Sequence, residues 1–485
     1  MSDESDREKL GVRGIVGWVL PVLFLAAAWG VGEAPWGLEV AAWRTACVGL
    51  AMAVLWVTEV LPIPVTALLP ILLFPLLGVA DIGAATAPFG HKMVFLYFGG
   101  FVVALAMERW GLHRRIALRT IAMVGTSGRR LILGFMVACA FLSMWVSNTA
   151  TTLMMLPIAL SVVGVVCDDA EGKGGNRGLE LALLLGIAYS ASIGGMATLI
   201  GTPPNALLAG YLADQHGVVI GFAEWMLVGL PLVIIGLPLA YVVLTRVAFK
   251  VEAGCGCDGE AEAHVRGEIA GLGKMSRAER WVALVFVLTA LSRAFRPLLA
   301  KIVPGLSDTG IAVGAAVVLF ALPSGKGGGV MDWETTKRLP WGVLLLFGGG
   351  LSLAAAVKSS GLAEAIGQGV GGETWLGAFW LTAVMVVVVL LLTELTSNLA
   401  TTAAFLPVVG AVASGIGMDV ASLAAPVALA ASGAFMLPVA TPPNAVVFGS
   451  GRVPLREMVR AGVWLNVSFA VLMILLVPKL LKMIL

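Results

Sequence analysis

Two short polar motifs recur inside an otherwise apolar chain, and both carry groups suited to holding ions. Ser147-Asn148-Thr149 lies midway along an apolar stretch bounded by Arg129-Arg130 and Asp168-Asp169, and Ser397-Asn398 holds the matching place in a second stretch. One helical turn before each stands a further hydroxyl, Ser143 and Thr393, which faces the same point. Hydroxyl, amide and backbone carbonyl oxygens suit a hard cation such as Na⁺. The plainer alternative for Ser143 and Thr393 is a hydroxyl bonded back to its own helix.

A second pair of motifs is Thr202-Pro203-Pro204-Asn205 and Thr441-Pro442-Pro443-Asn444. Proline has no N–H, so helix bonds to the carbonyls of Leu199 and Ile200, and of Pro438 and Val439, cannot form. In a bilayer such carbonyls need other partners. A cation is one; a neighbouring Ser or Thr closing a simple kink is the other.

A membrane-crossing helix needs about 20 apolar residues. Residues 131–167 and 376–414 are too long for one crossing and too short for two, which fits re-entrant helical hairpins turning at Ser147-Asn148 and Ser397-Asn398. At such a tip one limb ends in carbonyls and the other begins with free N–H groups and a positive dipole end, so a cation and an anion can be held side by side. The motifs contain no Arg or Lys. An anionic substrate would therefore be held by amides, hydroxyls and helix ends, with bound Na⁺ offsetting its charge.

The elements that must position these motifs follow from composition. Of 485 residues, 59% are hydrophobic and 12% charged, against about 25% charged in soluble domains. A water-soluble fold cannot hide that much apolar surface. The chain reads as an all-α polytopic membrane protein, with its 60 glycines serving close helix packing. A net charge of +2 points to no nucleic acid. The four histidines lie near span ends or in loops, none at a ligand spacing, so no enzyme centre is expected. A passive channel has no need of two proline-broken helices facing two hairpins. Cys47, Cys139 and Cys167 sit in apolar segments; Cys255-Gly256-Cys257 lies in a polar loop without a second pair or a His partner. Glu59 and Glu394 are carboxylates in apolar surroundings and hence functional candidates. Glu59 ends a span; Glu394 is open between a proton or cation role and bracing of the hairpin.

The chain also repeats itself. Phe98-Gly99-Gly100 matches Phe347-Gly348-Gly349, Gly111-Leu112 matches Gly361-Leu362, and the Ser-Asn and Thr-Pro-Pro-Asn motifs follow in the same order at nearly one offset. An odd number of spans separates the copies, so the repeats are inverted, and broken helices meeting between inverted repeats point to a transporter site near the midplane. The expected organisation is a cytoplasmic tail 1–14, a first span 15–38, a first repeat 39–247 with its broken helix at 181–213, a loop 248–277, a second repeat 278–461 with its broken helix at 422–450, and a last span 462–485. Conventional spans are expected near 15–33, 39–57, 64–80, 92–108, 219–247, 278–297, 309–323, 341–357 and 462–482, and interfacial pieces at 109–124 and 358–370. The loop 248–277, rich in Gly and Glu, reads as flexible. Eleven spans plus two hairpins collect most Lys and Arg on the side of the N-terminus, which is then cytoplasmic, with the C-terminus outside. The polar head Met1–Gly14 runs into a full-length apolar span without a cleavage site for a signal peptide.

These motifs, together with Trp56-Val57-Thr58-Glu59-Val60-Leu61-Pro62 and Ser190-Ala191-Ser192-Ile193-Gly194-Gly195, resemble the divalent anion/Na⁺ symporters, including the INDY-type dicarboxylate carriers, over most of the chain. The resemblance implies a homodimer of scaffold and transport domains working by an elevator movement. It implies a first Na⁺ site at Ser143, Ser147, Asn148 and the Gly201 carbonyl, and a second at Thr393, Ser397, Asn398 and the Ala440 carbonyl. Substrate carboxylates would meet Asn148, Thr149, Ser397, Asn398, Thr441 and Pro442. The implied cargo is a C4-dicarboxylate such as succinate, malate or fumarate carried with two or more Na⁺ across a bacterial-type inner membrane; the alternatives are citrate, a sulfate-type oxyanion, or dicarboxylate exchange. One departure is Leu399, where bacterial dicarboxylate members often have Thr.

Overall fold

The computed structural model describes residues 12–30, 34–126, 128–167, 177–251, 258–325, 327–371 and 377–484. Cys255 and Cys257 and most of the N-terminal tail lie outside them. The described residues are helical, with one isolated antiparallel bridge between Pro323 and Gly329 and no strand.

In chain order the helices are α1 (Val12–Gly30), α2 (Val40–Thr58), α3 (Ile63–Thr66), α4 (Leu69–Leu76), α5 (Ile82–Thr86), α6 (Lys92–Arg109), α7 (Leu112–Val124), α8 (Gly128–Ser143), α9 (Asn148–Cys167), α10 (Arg177–Gly195), α11 (Pro203–His216) and α12 (Phe222–Val242), the last continued by a π-helical turn. They continue with α13 (Asp258–Gly271), α14 (Arg277–Ala294), α15 (Arg296–Leu299), α16 (Asp308–Ala321), α17 (Trp341–Ser359), α18 (Leu362–Gly371), α19 (Ala378–Thr393), α20 (Asn398–Gly415), α21 (Val420–Ala431), α22 (Pro442–Gly449), α23 (Leu455–Leu475) and α24 (Val477–Leu481). Among the described residues, seven helical segments are long and apolar enough to cross a membrane: Val40–Thr58, Ile82–Arg109, Arg177–Gly195, Phe222–Ala248, Trp341–Ser359, Asn398–Gly415 and Leu455–Leu481.

Two segments differ from the sequence expectation. The span expected at 64–80 is divided into α3 and α4, because Pro70 cannot donate to the Thr66 carbonyl and the helix restarts. The 248–277 segment carries α13, which docks on α7 and α9. Its buried Ala261 and Val265 stand one turn apart, a short apolar stripe among Gly and Glu that composition conceals. His264 Nε2 lies 2.9 Å from Ser161 Oγ, Arg114 pairs with Glu268, and buried Arg115 donates to the carbonyls of Gly273 (3.0 Å) and Leu272 (3.3 Å).

The run α6 to α12 is matched in order by α17 to α23. In each, the helix before the Ser-Asn turn packs on the helix before the proline break: α8 on α10, and α19 on α21. The arms then cross between halves, α9 packing on α22 and α11 on α20. That exchange gathers both turns and both breaks around one centre. Glycine permits the closest approaches. A Cβ on Gly194 of α10 would collide with the backbone of Ala140 in α8, and one on Gly99 of α6 would lie 2.5 Å from the Ala312 carbonyl in α16.

Two ends of this bundle can be told apart. At one, Thr309 Oγ1 donates to the Lys92 carbonyl at 3.1 Å. At the other, Arg109 pairs with Asp332 at 2.6 Å and Trp110 Nε1 donates to the Val330 carbonyl at 2.8 Å. They are separated by α6, 18 residues or about 27 Å of helix.

Gly194→Ala forces α8 and α10 apart. We expect a loss of about 1–3 kcal/mol, seen as a lowered midpoint in thermal unfolding of the purified protein, whereas Gly314→Ala, where an added Cβ meets nothing within 4 Å, leaves the midpoint in place.

Candidate functional site

α8 gives way to α9 over Met144–Ser147, and α19 to α20 over Glu394–Ser397. The broken helices unwind between Gly195 and Pro203 and between Ala431 and Pro442. Thr202 (φ −139°, ψ 138°) and Thr441 (φ −141°, ψ 147°) are both extended residues that lead into the second half of a break.

Each asparagine of the Ser-Asn motifs points one end of its amide into a group of oxygens. For Asn148 these are the carbonyls of Gly201 and Ala191, both at 3.2 Å, and the Ser143 hydroxyl, which it touches. For Asn398 they are the Ala431 carbonyl at 3.0 Å, the Ala440 carbonyl at 3.2 Å and Thr393 Oγ1 at 2.9 Å. With the amide nitrogen turned inward, each asparagine donates to these acceptors; with the oxygen inward, each cluster presents four oxygens and no donor but a hydroxyl. Gly195 makes room for the first cluster, since a Cβ there would lie 2.7 Å from Asn148 Oδ1 and 3.0 Å from the Gly201 carbonyl.

The structure thus brings together Ser143, Asn148 and Gly201, and likewise Thr393, Asn398 and Ala440. Ser147 lines the central cavity beside the first group, and its hydroxyl accepts from Ala150 N at 3.2 Å, capping α9. Ser397 holds the equivalent N-cap of α20 and lines the central cavity. The carbonyls of Ala191 and Ala431 went unanticipated. Any residue type supplies a carbonyl, so only their place in the last turn before each break could have indicated them.

The unwound loops are held by side chains. Asn205 Nδ2 donates to the carbonyls of Thr198 (2.8 Å), Met196 (3.3 Å) and Gly195 (3.4 Å), and Asn444 Nδ2 to those of Leu437 (3.0 Å) and Ala434 (3.4 Å). The Leu199 carbonyl, which sequence left free for a cation, is bonded by the Tyr97 hydroxyl, which also reaches the Thr202 carbonyl at 2.8 Å. Tyr97 lies on α6, remote in sequence, so no local pattern announced it. Thr198 Oγ1 donates to the Met144 carbonyl at 2.6 Å and accepts from Gly201 N at 3.0 Å, tying the first loop to the first turn.

In the second half a carboxylate does this work. Glu394, 2% exposed, accepts from the backbone N–H groups of Phe435 (2.9 Å), Met436 (3.0 Å) and Leu437 (2.9 Å) and from Asn466 Nδ2 (2.6 Å). Its geometry is that of a brace across the loop. Glu59, by contrast, is exposed at the C-cap of α2 with φ 52°.

Between the two clusters lies a cavity of about 1170 Å³. Asn148, Thr149, Ser397, Asn398, Thr441 and Pro442 all line it, as do Thr202 and Pro203 from the first half. Glu59, Glu108, His113 and Arg338 mark its mouth, at the Arg109 end. Arg338 is exposed and pairs with Glu108. Burial pushes the His113 imidazole below its ordinary range, against the pull of the Met107 carbonyl. The inner wall therefore meets an anion with hydroxyls, amides and the N-terminal ends of α9, α20, α11 and α22. Among the described residues no group of three or more His, Cys, Asp and Glu could hold a metal ion.

Helices broken beside a central cavity, at paired polar motifs, define a membrane transporter fold. Two solved transporters share it: Neisseria gonorrhoeae MtrF, presented as illuminating a class of antimetabolite efflux pumps, has TM-score 0.57 and 17% identity, with 96% of each chain covered. The Alcanivorax borkumensis YdaH transporter has TM-score 0.54 and 16% identity, covering 84% of this chain and 88% of that one. The chain belongs to the family described as "Sodium:sulfate symporter transmembrane region", whose profile matches residues 14–485. It is 39% identical over 489 residues to the sodium-dependent dicarboxylate transporter SdcS of Staphylococcus aureus (strain USA300), covering 98% of this chain and 93% of that protein. The protein of the same name from Staphylococcus saprophyticus is 38% identical over 486 residues, with the same coverage.

Glu394→Gln replaces an acceptor of several N–H groups with an amide that also carries donors. We expect a stability loss of about 1.5–3 kcal/mol, read by thermal unfolding, while Glu59→Gln at the exposed mouth changes it by no more than about 0.5 kcal/mol.

Proposed function

We propose that the protein is a secondary active transporter, not an enzyme, that carries C4-dicarboxylates such as succinate, malate and fumarate in symport with Na⁺. The observation that carries this reading is the pair of asparagine-centred oxygen clusters flanking one cavity, in a chain 39% identical across its length to sodium-dependent dicarboxylate transporters.

In this reading Na⁺ takes the place of the inward amide nitrogen at each cluster. The first ion is held by Ser143, Asn148 and the carbonyls of Gly201 and Ala191, with Ser147 at the turn; the second by Thr393, Asn398 and the carbonyls of Ala440 and Ala431, with Ser397 at the turn. Substrate carboxylates meet Asn148, Thr149, Ser397, Asn398, Thr441 and Pro442. Among the described residues lining the cavity, Arg338 at the mouth, paired with Glu108, is the one lysine or arginine, so a dianion is balanced by the cations beside it, and Na⁺ and substrate favour each other by the same factor. Without the cations the inner wall offers hydroxyls, amides and helix ends but no full positive charge to balance a dianion.

The rest of the reading concerns motion and placement. The Ser-Asn turns are tips of re-entrant hairpins in an eleven-span chain. The hairpins and broken helices move as a transport domain against a scaffold shared by a homodimer. The N-terminus is cytoplasmic, the C-terminus outside, and the membrane is a bacterial-type inner membrane. The mouth at Glu108 and Arg338 then faces the cytoplasm. Leu399, also on the cavity wall, removes one hydroxyl from the substrate side and favours a second reading in which a compact oxyanion such as sulfate is the better cargo.

Uptake of labelled succinate into proteoliposomes should require an inward Na⁺ gradient and be lost in both Asn148→Ala and Asn398→Ala. Uptake that ignores Na⁺ and needs internal dicarboxylate would make the protein an exchanger. Sulfate uptake in place of succinate would select the second reading. Gly195→Ala, which places a methyl 2.7 Å from Asn148 Oδ1, should raise the Na⁺ concentration for half-maximal uptake by about tenfold or more, equivalent to about 1.4 kcal/mol.

A further inference from the structure

At the Lys92 end, away from the cavity mouth, a charged corner joins helices of different packing groups. α12 packs on α8, α10 and α23 and more lightly on α14, whereas α14 and α16 pack on α6 and on each other. Between them, Asp308 of α16 accepts from Phe222 N, the first residue of α12, at 3.1 Å, and pairs with Arg296 at 3.3 Å. Arg293 of α14, 1% exposed, lays its guanidinium over the Phe222 ring at 4.9 Å from the centroid. Next to them Glu224 accepts from Gly221 N. Two carboxylates and two guanidiniums thus crowd one helix start.

The corner is incompletely satisfied. Arg293 Nε and Nη2 and Asp308 Oδ1 are buried and make no hydrogen bond among the described residues. A partly satisfied buried network costs free energy to keep, so it holds its two sides together less firmly than a complete one would. It also adjoins the site: Trp145, in the turn before Asn148, has its ring 5.9 Å from Phe222 and 5.2 Å from Phe286 of α14.

We propose that Asp308, Arg293 and Arg296 form a latch on the start of α12 that holds the protein with its cavity open at the Arg109 end, and that must part each time the cavity turns to the other side. The proposal rests on the elevator reading. An axial slide of α12 against α14 and α16 carries Phe222 away from Asp308 and Arg293, while contacts within each packing group persist. The latch is therefore specific to one state, and weakening it moves the population toward the other.

The test uses the full chain in nanodiscs, in a background lacking the native cysteines. Spin labels are placed at Val219, just before α12, and at Leu298 in α15, both exposed. The elevator reading predicts two label distances whose proportions change with Na⁺ and succinate. Asp308→Asn, and the milder Arg296→Gln at a partly exposed side chain, should each raise the fraction of the second distance several-fold without ligand. Two distances in the parent, with fractions unmoved by both substitutions, would overturn the latch and leave the elevator standing. A single distance under every condition would remove both.

Discussion

A helix that is interrupted inside a bilayer exposes backbone groups that water cannot satisfy, and this constraint organises the protein. Two tandem prolines interrupt two helices, and every carbonyl and N–H they release must find a partner within the fold. The amides of Asn205 and Asn444 do this in both halves, each reaching back to the carbonyls of the loop before it. The carbonyls left over face Asn148 and Asn398 from the opposing turns. The oxygen clusters are thus what remains when the breaks have been satisfied as far as side chains allow.

The two halves share this plan and differ in its execution. In the first, neutral groups hold the loop: the Tyr97 and Thr198 hydroxyls. In the second, the carboxylate of Glu394 gathers three consecutive N–H groups and the Asn466 amide. A buried carboxylate fully engaged by donors is a rigid support, and it sits one residue from Thr393. The second cluster is therefore built on the stiffer frame. Crossing of the arms, α9 on α22 and α11 on α20, means that neither half completes the cavity wall alone.

Much of this was legible in the sequence, because its signals are local. Tandem prolines, hydroxyls one turn before Ser-Asn, and the order of repeated motifs are all patterns within a few residues. The all-helical membrane class follows from composition. What was not legible depends on residues distant in sequence or on atoms common to all residues. Tyr97 reaches Leu199 from another helix, the carbonyls of Ala191 and Ala431 carry no residue-type signal, and the Ser147 hydroxyl is engaged as the cap of its own helix. The helix at 258–271 carries little sequence signal because its apolar stripe, Ala261 and Val265, is brief. The role of Glu394 could not be settled from a carboxylate in an apolar run; only the three N–H groups that meet it decide for bracing.

The central claim is that cations complete the substrate site. Calorimetric titration of succinate into the purified protein, once in Na⁺ and once with choline replacing it at equal ionic strength, tests this most directly. Saturable binding in Na⁺ and no measurable heat in choline is the predicted result. Equal affinity in both would mean that the protein alone binds the dianion and that the asparagine clusters are structural.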